Sequence, residues 1–486
     1  MLEKVQADRL KKLEQIRRLG IDPYGGRYDT AEAVASIRAR YVEGREGQTA
    51  DAAGRLVLYR DMGKMIFAHV RDETDAMQIA LRKDALDETG WNLAKLLDLG
   101  DIIAVAGPLQ PTRTGELTIW ADKLTLLAKS LDPMPEKFHG LVDVEARYRQ
   151  RYLDLMTNPD SMARFRKRIA IIEVFRGVLK NRGFVEVDTP VLQAIYGGGA
   201  ARPFTTHHNT LDADLFLRIS PELYLKRLLV GGMEKVYEIG RNFRNEGLDT
   251  RHNPEFTMLE LYQAYADYEV MMEITEEIVS TAAAEVAGGM KIKYGELEID
   301  YSLPWLREKY ADLLERHAGV AMTDVSAVRR KARELGIEEQ NKDDAIVVNE
   351  VFEATVGPAL AKMGRPVFVM DYPADICPLT RRKADDPSIA LRFELFIAGM
   401  EIANAYTELN DPAVQEQNFR KQLRGEGDAA AMRVMDEDFI TALRHGMPPA
   451  GGLGVGIDRV VMLLTGTPSI RDVVLFPMLR PESKVE

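Results

Sequence analysis

The sequence has one cysteine, Cys377, in 486 residues. An intrachain disulfide is therefore impossible, and a zinc site built from several thiolates is excluded. No stretch approaches the ~20 consecutive apolar residues that a membrane-spanning helix needs, so no membrane partner is expected. The opening residues MLEKVQADRLKKLEQIRRLG lack the apolar core of a secretory leader, and their acidic residues do not fit an organelle transit peptide. A cytoplasmic location is the expectation. Also missing is a GxxxxGK[ST] loop, which removes P-loop nucleotide binding. GLGVG at 452–456 superficially resembles a dinucleotide fingerprint but lacks its final glycine and its βαβ context. His207-His208 have no partner at ligand spacing, so no metal role is expected of them. Positive charge is in deficit, 64 Lys and Arg against 76 Asp and Glu, net −12, which argues against indiscriminate nucleic-acid binding. Local basic stretches remain at residues 1–18 and in RFRKR at 164–168; a solvated face and RNA contact are both open for them.

What is present fits an ordinary globular protein with ample core, 46% apolar and 29% charged. The length suggests about three domains. Residues 1–20 read as a helix stopped by Gly20, and a loose Ala/Gly/Arg stretch runs to about 53. Then come strands at 54–60, 65–70 and 76–81, a helix near 86–99, and strands at 102–109 and 117–127. The order β-β-β-α-β-β over ~75 residues is that of an OB-fold, a small barrel that often binds oligonucleotides. Phe67 could stack on an unpaired base and Gln78 could read a base edge, although a core role for Phe67 is the plainer reading. Residues 131–150 carry two prolines without periodicity and suit a linker. A long helical pattern at 161–181 follows, then a short strand at 184–187, Thr189-Pro190 and the flexible Gly197-Gly198-Gly199. Between about 270 and 345 the composition reads as an inserted helical bundle. Strands resume at 366–372 and 390–399. The end, GGLGVGIDRVVMLLTG, reads as a glycine-rich turn entering a helix, with Arg459 near a helix start that favours an anion.

The densest chemistry lies in residues 238–268, EIGRNFRNEGLDTRHNPEFTMLELYQAYADY. Two apolar-bordered strands flank a loop carrying Arg244, Glu246, Arg251 and His252, an antiparallel pair with guanidinium forks suited to phosphate or carboxylate. Arg244 and Arg459 could grip a polyphosphate from both ends. Glu394 and Glu401 are spaced to hold a hard cation such as Mg²⁺.

These residues carry a family resemblance. FRNEG with RHNPEF, and GLGVGIDR, resemble motifs 2 and 3 of class II aminoacyl-tRNA synthetases, and residues 161–190 resemble motif 1. The resemblance covers nearly the whole chain with the motifs in order. It implies an α+β fold: an N-terminal OB-fold β-barrel at 54–130 behind an extension at 1–53, a linker at 131–150, and at 151–486 a class II synthetase catalytic domain, an antiparallel sheet flanked by helices. An N-terminal OB-fold narrows the choice to aspartate, asparagine and lysine enzymes. KFHGLVDVEARYRQRYLDLM, ARPFTTHHNTLDADLFLRISPELYLKRL and NAYTELND are most similar to the bacterial-type class II lysyl-tRNA synthetase family.

The resemblance implies the following roles. Glu222, Glu260, Tyr262, Asn404, Tyr406 and Glu408 would line a lysine pocket, with the backbone at Gly198 near the α-amino group. The chemistry agrees, because an ε-ammonium needs buried acceptors, whereas an aspartate or asparagine pocket would want a cation or amide there. Arg244 would bridge the lysine carboxylate and the α-phosphate of ATP, and Arg459 would hold the terminal phosphate; both would be catalytic. Glu246, His252, Asn253 and Phe256 would serve ATP, and Glu394 and Glu401 would bind Mg²⁺. Arg60, Phe67, Gln78 and Glu116 fall where the family reads the tRNA(Lys) anticodon. A homodimer built around motif 1 is implied as well. Tyr406 stands where many members have Phe, Met400 where Arg is frequent beside Glu401, and Ala450-Gly451 where Thr-Ala is more usual. The alternatives are an aspartyl or asparaginyl enzyme, a lysylating paralogue acting on protein, which would lack the OB-fold, and a non-catalytic RNA-binding relative, which would lack Arg244, Glu246 or Arg459.

Overall fold

The computed structural model describes residues 2–135, 143–199, 201–423 and 435–481. The chain divides into two units, Met1–Val142 and Asp143–Glu486.

In the first, helices α1 (Leu2–Arg18) and α2 (Val34–Arg40) precede strands β1 (Thr49–Asp61), β2 (Met65–Arg71) and β3 (Ala76–Arg82). Helix α3 (Glu88–Leu96) and strands β4 (Ile102–Pro111), β5 (Leu117–Ala121) and β6 (Lys123–Ala128) follow. β1 is long enough to serve two neighbours: its second half pairs with β2 and its first half with β4. β3 runs parallel to β5, and β5 antiparallel to β4, so five strands close into a barrel. Alternation decides which side chains go inside. Ile66, Ala68, Val70, Met77, Ile79 and Leu81 are buried in the barrel core, which turns Phe67, His69 and Gln78 to the other face. Asp87 starts α3 by accepting the Gly90 N–H at 2.6 Å. Two details differ from the sequence expectation. The stretch before residue 54 is ordered by burial of Val34 and Ile37 of α2 in this core and already contains the start of β1. The strand expected at 117–127 breaks at Asp122 into β5 and β6, which pair with different parts of β4.

The second unit opens with α4 (Val144–Arg149), α5 (Arg151–Thr157) and the long α6 (Pro159–Asn181). Short strands β7 (Val185–Glu186), β8 (Leu192–Gln193), β9 (Thr205–His208) and β10 (Ala213–Leu217) lead to α7 (Glu222–Val230) and the hairpin β11 (Lys235–Phe243) and β12 (Glu255–Ala264). Then come α8 (Tyr268–Ala282), β13 (Lys291–Tyr294), β14 (Leu297–Asp300), β15 (Leu306–Lys309), α9 (Tyr310–Ala318), α10 (Val325–Glu334) and α11 (Asp344–Leu360). The chain ends with β16 (Val367–Pro373), β17 (Ile389–Ile397), β18 (Met400–Thr407), α12 (Pro412–Leu423), α13 (Glu437–Arg444), β19 (Ala450–Gly456) and α14 (Ile457–Leu464). One sheet dominates, in the order β15-β16-β17-β18-β19-β12-β11-β7. Its six inner strands are antiparallel, and a short strand pairs parallel at each edge.

The α+β class anticipated from the sequence is observed, with local corrections. Residues 136–142 of the expected linker lie outside the described residues, and 144–149 are helical. The stretch 270–345 is not all helix: β13 and β14 form a hairpin and β15 joins the main sheet. The glycine-rich segment before α14 is not a turn but β19, a central strand whose glycines leave little periodic signal.

One face of the sheet is apolar. Leu259, Leu261, Phe393, Leu395, Ala403, Ala405, Leu453 and Val455 join one core with Ile171 and Phe175 of α6, Met271 of α8 and Val461 of α14. The basic stretch 164–168 is neither a solvated face nor free for RNA at its two ends. Arg168 donates to Asp458 Oδ1 at 2.5 Å and to Thr257 Oγ1 at 3.0 Å, while Asp458 Oδ2 accepts the Thr257 N–H at 2.8 Å. One buried ion pair thus ties α6, β12 and α14 together. Arg164 lies 3.6 Å from Asp472.

Candidate active site

Side chains directly opposite each other across antiparallel strands share a face. On the face away from the apolar core, Glu394, Asn404, Gly454, Glu260 and Glu238 form one rung across β17, β18, β19, β12 and β11. The next rung is Arg392, Tyr406, Gly452, Tyr262 and Val236. The residue types alternate accordingly: apolar toward the core and, Val236 at the edge apart, polar or glycine toward the site. β19 contributes no side chain to either rung, which leaves the space over Gly452 to Glu408 and Tyr262. A Cβ on Gly452 would lie 2.0 Å from Glu408 Oε1 and 2.5 Å from the Tyr262 ring.

Most of the expected pocket residues converge here. Glu222, Glu260, Tyr262 and Glu408 are buried. Glu222 begins α7, and its N–H donates to Ser220 Oγ at 3.0 Å; that hydroxyl donates onward to Glu260 Oε1 at 3.0 Å. Asn242 donates weakly to the same oxygen at 3.4 Å. Gly198 has φ +83°, and a Cβ there would meet Ser220 Oγ and Glu222 Cβ at 2.9 Å, so its bare backbone borders the pocket. Burial, with Glu222 adding repulsion, pushes the Glu260 carboxyl up to about 8. Burial also pushes Glu408 up to about 8, against the pull of Lys226. The Tyr262 and Tyr406 phenols are driven well above their ordinary value by burial and by Glu222, so both stay neutral.

Sequence reasoning missed the groups that make this burial tolerable. Lys226, one turn after Glu222, pairs with Glu222 Oε1 at 2.6 Å and contacts Glu408 Oε2. Arg218 pairs with Glu238 behind Glu260. Arg392 pairs with Glu394 and lies 4.9 Å over the Tyr372 ring, and one of its N–H groups points to Cys377 Sγ at 3.3 Å. The i,i+4 spacing of Glu222 and Lys226 and the i,i+2 spacing of Arg392 and Glu394 are the signals that could have found two of them.

The side expected to take phosphate is looser. Arg244 lies 5.1 Å over the Phe256 ring, with its Nε buried and unpartnered. The Asn253 amide donates to Glu255 O at 2.6 Å and leaves its Oδ1 unpartnered. His252 is held by Asp249 at 2.7 Å on one ring nitrogen and meets Arg459 Nη2 at 3.0 Å on the other. Arg459 also donates to Glu401 O at 2.6 Å. Glu246 sits on the exposed hairpin tip, outside this group of contacts.

Among the described residues no group of three or more His, Cys, Asp or Glu could hold a metal by itself. The pair Glu394 and Glu401 nevertheless fits a hard cation that takes its remaining ligands from phosphate and water. Burial, with the nearby Glu401 adding repulsion, raises the Glu394 carboxyl to about 7 against the pull of Arg392. Tyr372 donates to Glu394 Oε2 at 2.8 Å and Asn404 to Glu401 Oε1 at 3.1 Å, so both carboxylates are oriented. Met400 packs into the apolar core and faces away from Glu401.

In the barrel, Arg60, Phe67, Ala80 and Trp120 lie side by side across β1, β2, β3 and β5, with His69, Gln78 and Thr118 on the next rung. Phe67 is half-buried on the outer face rather than a core aromatic, and Trp120, which sequence reasoning did not select, lies edge-on to it at 6.3 Å. Gln78 donates to Thr118 Oγ1 at 2.8 Å, and that hydroxyl donates to Glu116 O at 2.9 Å.

Residues 143–480 match the family model of class II tRNA synthetases (D, K and N), and residues 52–127 match the OB-fold nucleic acid binding domain. The chain is 52% identical to the lysine--tRNA ligase of Pelotomaculum thermopropionicum, covering 99% of this chain and 96% of that protein. It is 50% identical to that of Moorella thermoacetica, with 99% and 98% covered, and 49% identical to that of Staphylococcus haemolyticus, with 97% of each covered. The chain therefore belongs to the class II tRNA synthetases and, within them, to the lysine--tRNA ligase family.

Gly452→Ala should destabilise the fold by about 1–3 kcal/mol through overpacking against Glu408 and Tyr262, read as a lower urea midpoint. An unchanged midpoint would show that the placement of Glu408 and Tyr262 does not depend on the bare strand.

Proposed function

We propose that this protein activates L-lysine with ATP as lysyl-adenylate, releasing pyrophosphate, and transfers the lysyl group to the 3′-terminal adenosine of tRNA(Lys). The observation that carries the reading is the buried acidic cluster of Glu222, Glu260 and Glu408, within electrostatic reach of Arg244, whose buried Nε has no partner. A buried acid left unpaired by a neutral or acidic side chain is costly, so such a pocket favours an ammonium-bearing amino acid.

In this reading the lysine side chain lies among Glu408, Tyr262, Tyr406 and Asn404, and the α-ammonium lies near Glu222, Glu260 and the Gly198 backbone. Arg244 holds the lysine carboxylate against the α-phosphate of ATP, while Phe256 stacks on adenine and Glu246, His252 and Asn253 complete the nucleotide site. The carboxylate oxygen attacks the α-phosphorus in line, and the bond to pyrophosphate breaks. Arg459 takes up the charge developing on the leaving group. No side-chain nucleophile is needed; positioning and charge neutralisation lower the barrier. Glu394 and Glu401 would hold Mg²⁺, which supplies Lewis-acid neutralisation of the phosphates. The tRNA adenosine hydroxyl then attacks the acyl carbon and releases AMP.

For the anticodon, Phe67 is the stacking platform and Gln78 the base reader, with Arg60 and Glu116 beside them. A homodimer is proposed on the exposed Ile169, Val185 and Leu192 of α6 and the strands after it, an apolar surface that an isologous partner would cover. A cytoplasmic location follows from this role, and no described helix is long and apolar enough to cross a membrane.

Lysine-dependent exchange of pyrophosphate into ATP tests the reading directly. Exchange is expected with lysine and not with aspartate or asparagine, and Arg244→Ala or Arg459→Ala should slow it by roughly 10²–10³-fold. Exchange with aspartate alone, or near-normal exchange in either variant, overturns the assignment.

Glu260 and Glu408 titrate near 8 without ligand, and a bound ammonium would lower both. Lysine binding near neutral pH should then release protons, and affinity should rise from pH 6 to about 8 before levelling off. Calorimetry in buffers of different ionisation enthalpy measures both; an affinity that is flat or falls over that range contradicts the pocket assignment.

A further inference from the structure

Lys226 is buried completely, far from the two arginines assigned to phosphate in sequence and on a different element. Its Nζ lies 2.6 Å from Glu222 Oε1, in contact with Glu408 Oε2, and 5.9 Å from the Tyr262 ring centroid. The acids and phenols around this pocket are Glu222 on α7, Glu260 and Tyr262 on β12, Tyr406 on β18 and Glu408 just beyond it, while Arg218 and Arg392, each paired with its own carboxylate, and Arg244 act on it from further out. Lys226 is the one ammonium among them. Burying an ammonium costs several kcal/mol unless its charge is met in full, and here two carboxylates meet it. Glu408 Oε1 is left buried without a hydrogen-bond partner, and it faces the space above Gly452.

The charges can be counted. When all are ionised, three carboxylates against one internal ammonium leave two formal negative charges for a ligand to meet. Free lysine brings two ammonium groups, and Arg244 stands ready for its carboxylate. An amino acid with a single ammonium would leave one buried negative charge unmet. Without Lys226 the pocket would hold three such charges, which burial would force to bind protons instead.

We infer that Lys226 is a specificity-determining positioning residue: it fixes the pocket's capacity at two positive charges, the number that a diamino acid carries, and presents the free oxygen of Glu408 to the substrate. This rests on the lysine reading of the site.

The test is the pH dependence of the lysine KM in pyrophosphate exchange, compared among the full-length protein and its Lys226→Met, Lys226→Arg and Lys226→Met/Glu222→Gln variants. Lys226→Met should raise the lysine KM at pH 7 by roughly 10²-fold, with the ATP KM within about twofold. The pH above which that KM levels off should move up by at least about one unit, because the carboxylates ionise later without their internal cation. Lys226→Arg keeps the charge and should leave that pH unchanged even if its KM rises. The double variant removes one charge of each sign and should return the levelling pH toward the original value. A levelling pH that is unmoved in Lys226→Met, or that moves in Lys226→Arg, or that is not restored in the double variant, overturns the inference. If Lys226→Met does not fold, the arginine and double variants still decide it. Absence of lysine-dependent exchange in the unaltered protein would instead defeat the lysine reading itself.

Discussion

A carboxylate taken out of water must be met by a counter-charge or a donor, and this requirement organises the catalytic unit. Glu238 is met by Arg218, Glu394 by Arg392 and Tyr372, Asp458 by Arg168, and Glu222 with one oxygen of Glu408 by Lys226. Each pairing joins separate elements or fixes a side chain on the polar face of the sheet. The acids left incompletely met are Glu260 and the second oxygen of Glu408, the groups to which the proposal assigns a ligand ammonium. Their carboxyls are raised from 4.5 to about 8, so they oppose folding increasingly as pH rises through that interval. The apolar face of the same sheet offsets this by packing against α6, α8 and α14. Function is thus placed on one side of a sheet whose other side supplies the stability.

Space is the second constraint. β19 lies in the middle of the sheet, where any side chain on its polar face would fill the pocket. Glycine in a central strand is a poor choice for sheet stability, and at 452 it reflects what lies above the strand, where Glu408 and Tyr262 leave no room for a Cβ. Of the positions where this chain departs from the family pattern, Tyr406 joins the pocket wall with a neutral hydroxyl, and Met400 belongs to the core.

How much was legible beforehand followed from how local each signal is. The barrel's strands could be read from alternation, and the β11–β12 hairpin from its charged loop between apolar runs. Arg244, Glu260 and Tyr262 sit on one continuous segment, and motif spacing brought in Arg459, Glu394 and Glu401. Lys226, Arg218 and Arg392 were missed because a lone basic residue in an apolar helix or strand reads as ordinary; its meaning comes from acids on other elements. Trp120 was missed because only the parallel pairing of β3 with β5 sets it beside Phe67. The β19 strand was taken for a turn because glycines carry no alternation, and β15 was overlooked because four residues are too few to show a period.

The central claim is that the pocket recognises charge, with three buried carboxylates matched against one internal ammonium and the two ammonium groups of the substrate. The most direct test is equilibrium binding of L-lysine against 6-hydroxynorleucine, a near-isostere that replaces the ε-ammonium with a hydroxyl, measured by calorimetry at pH 8. The account predicts that the hydroxyl analogue binds at least ~10³-fold more weakly, because it leaves a buried carboxylate unpaired. Affinities within about tenfold of each other would show that shape rather than charge selects the substrate, and would contradict it.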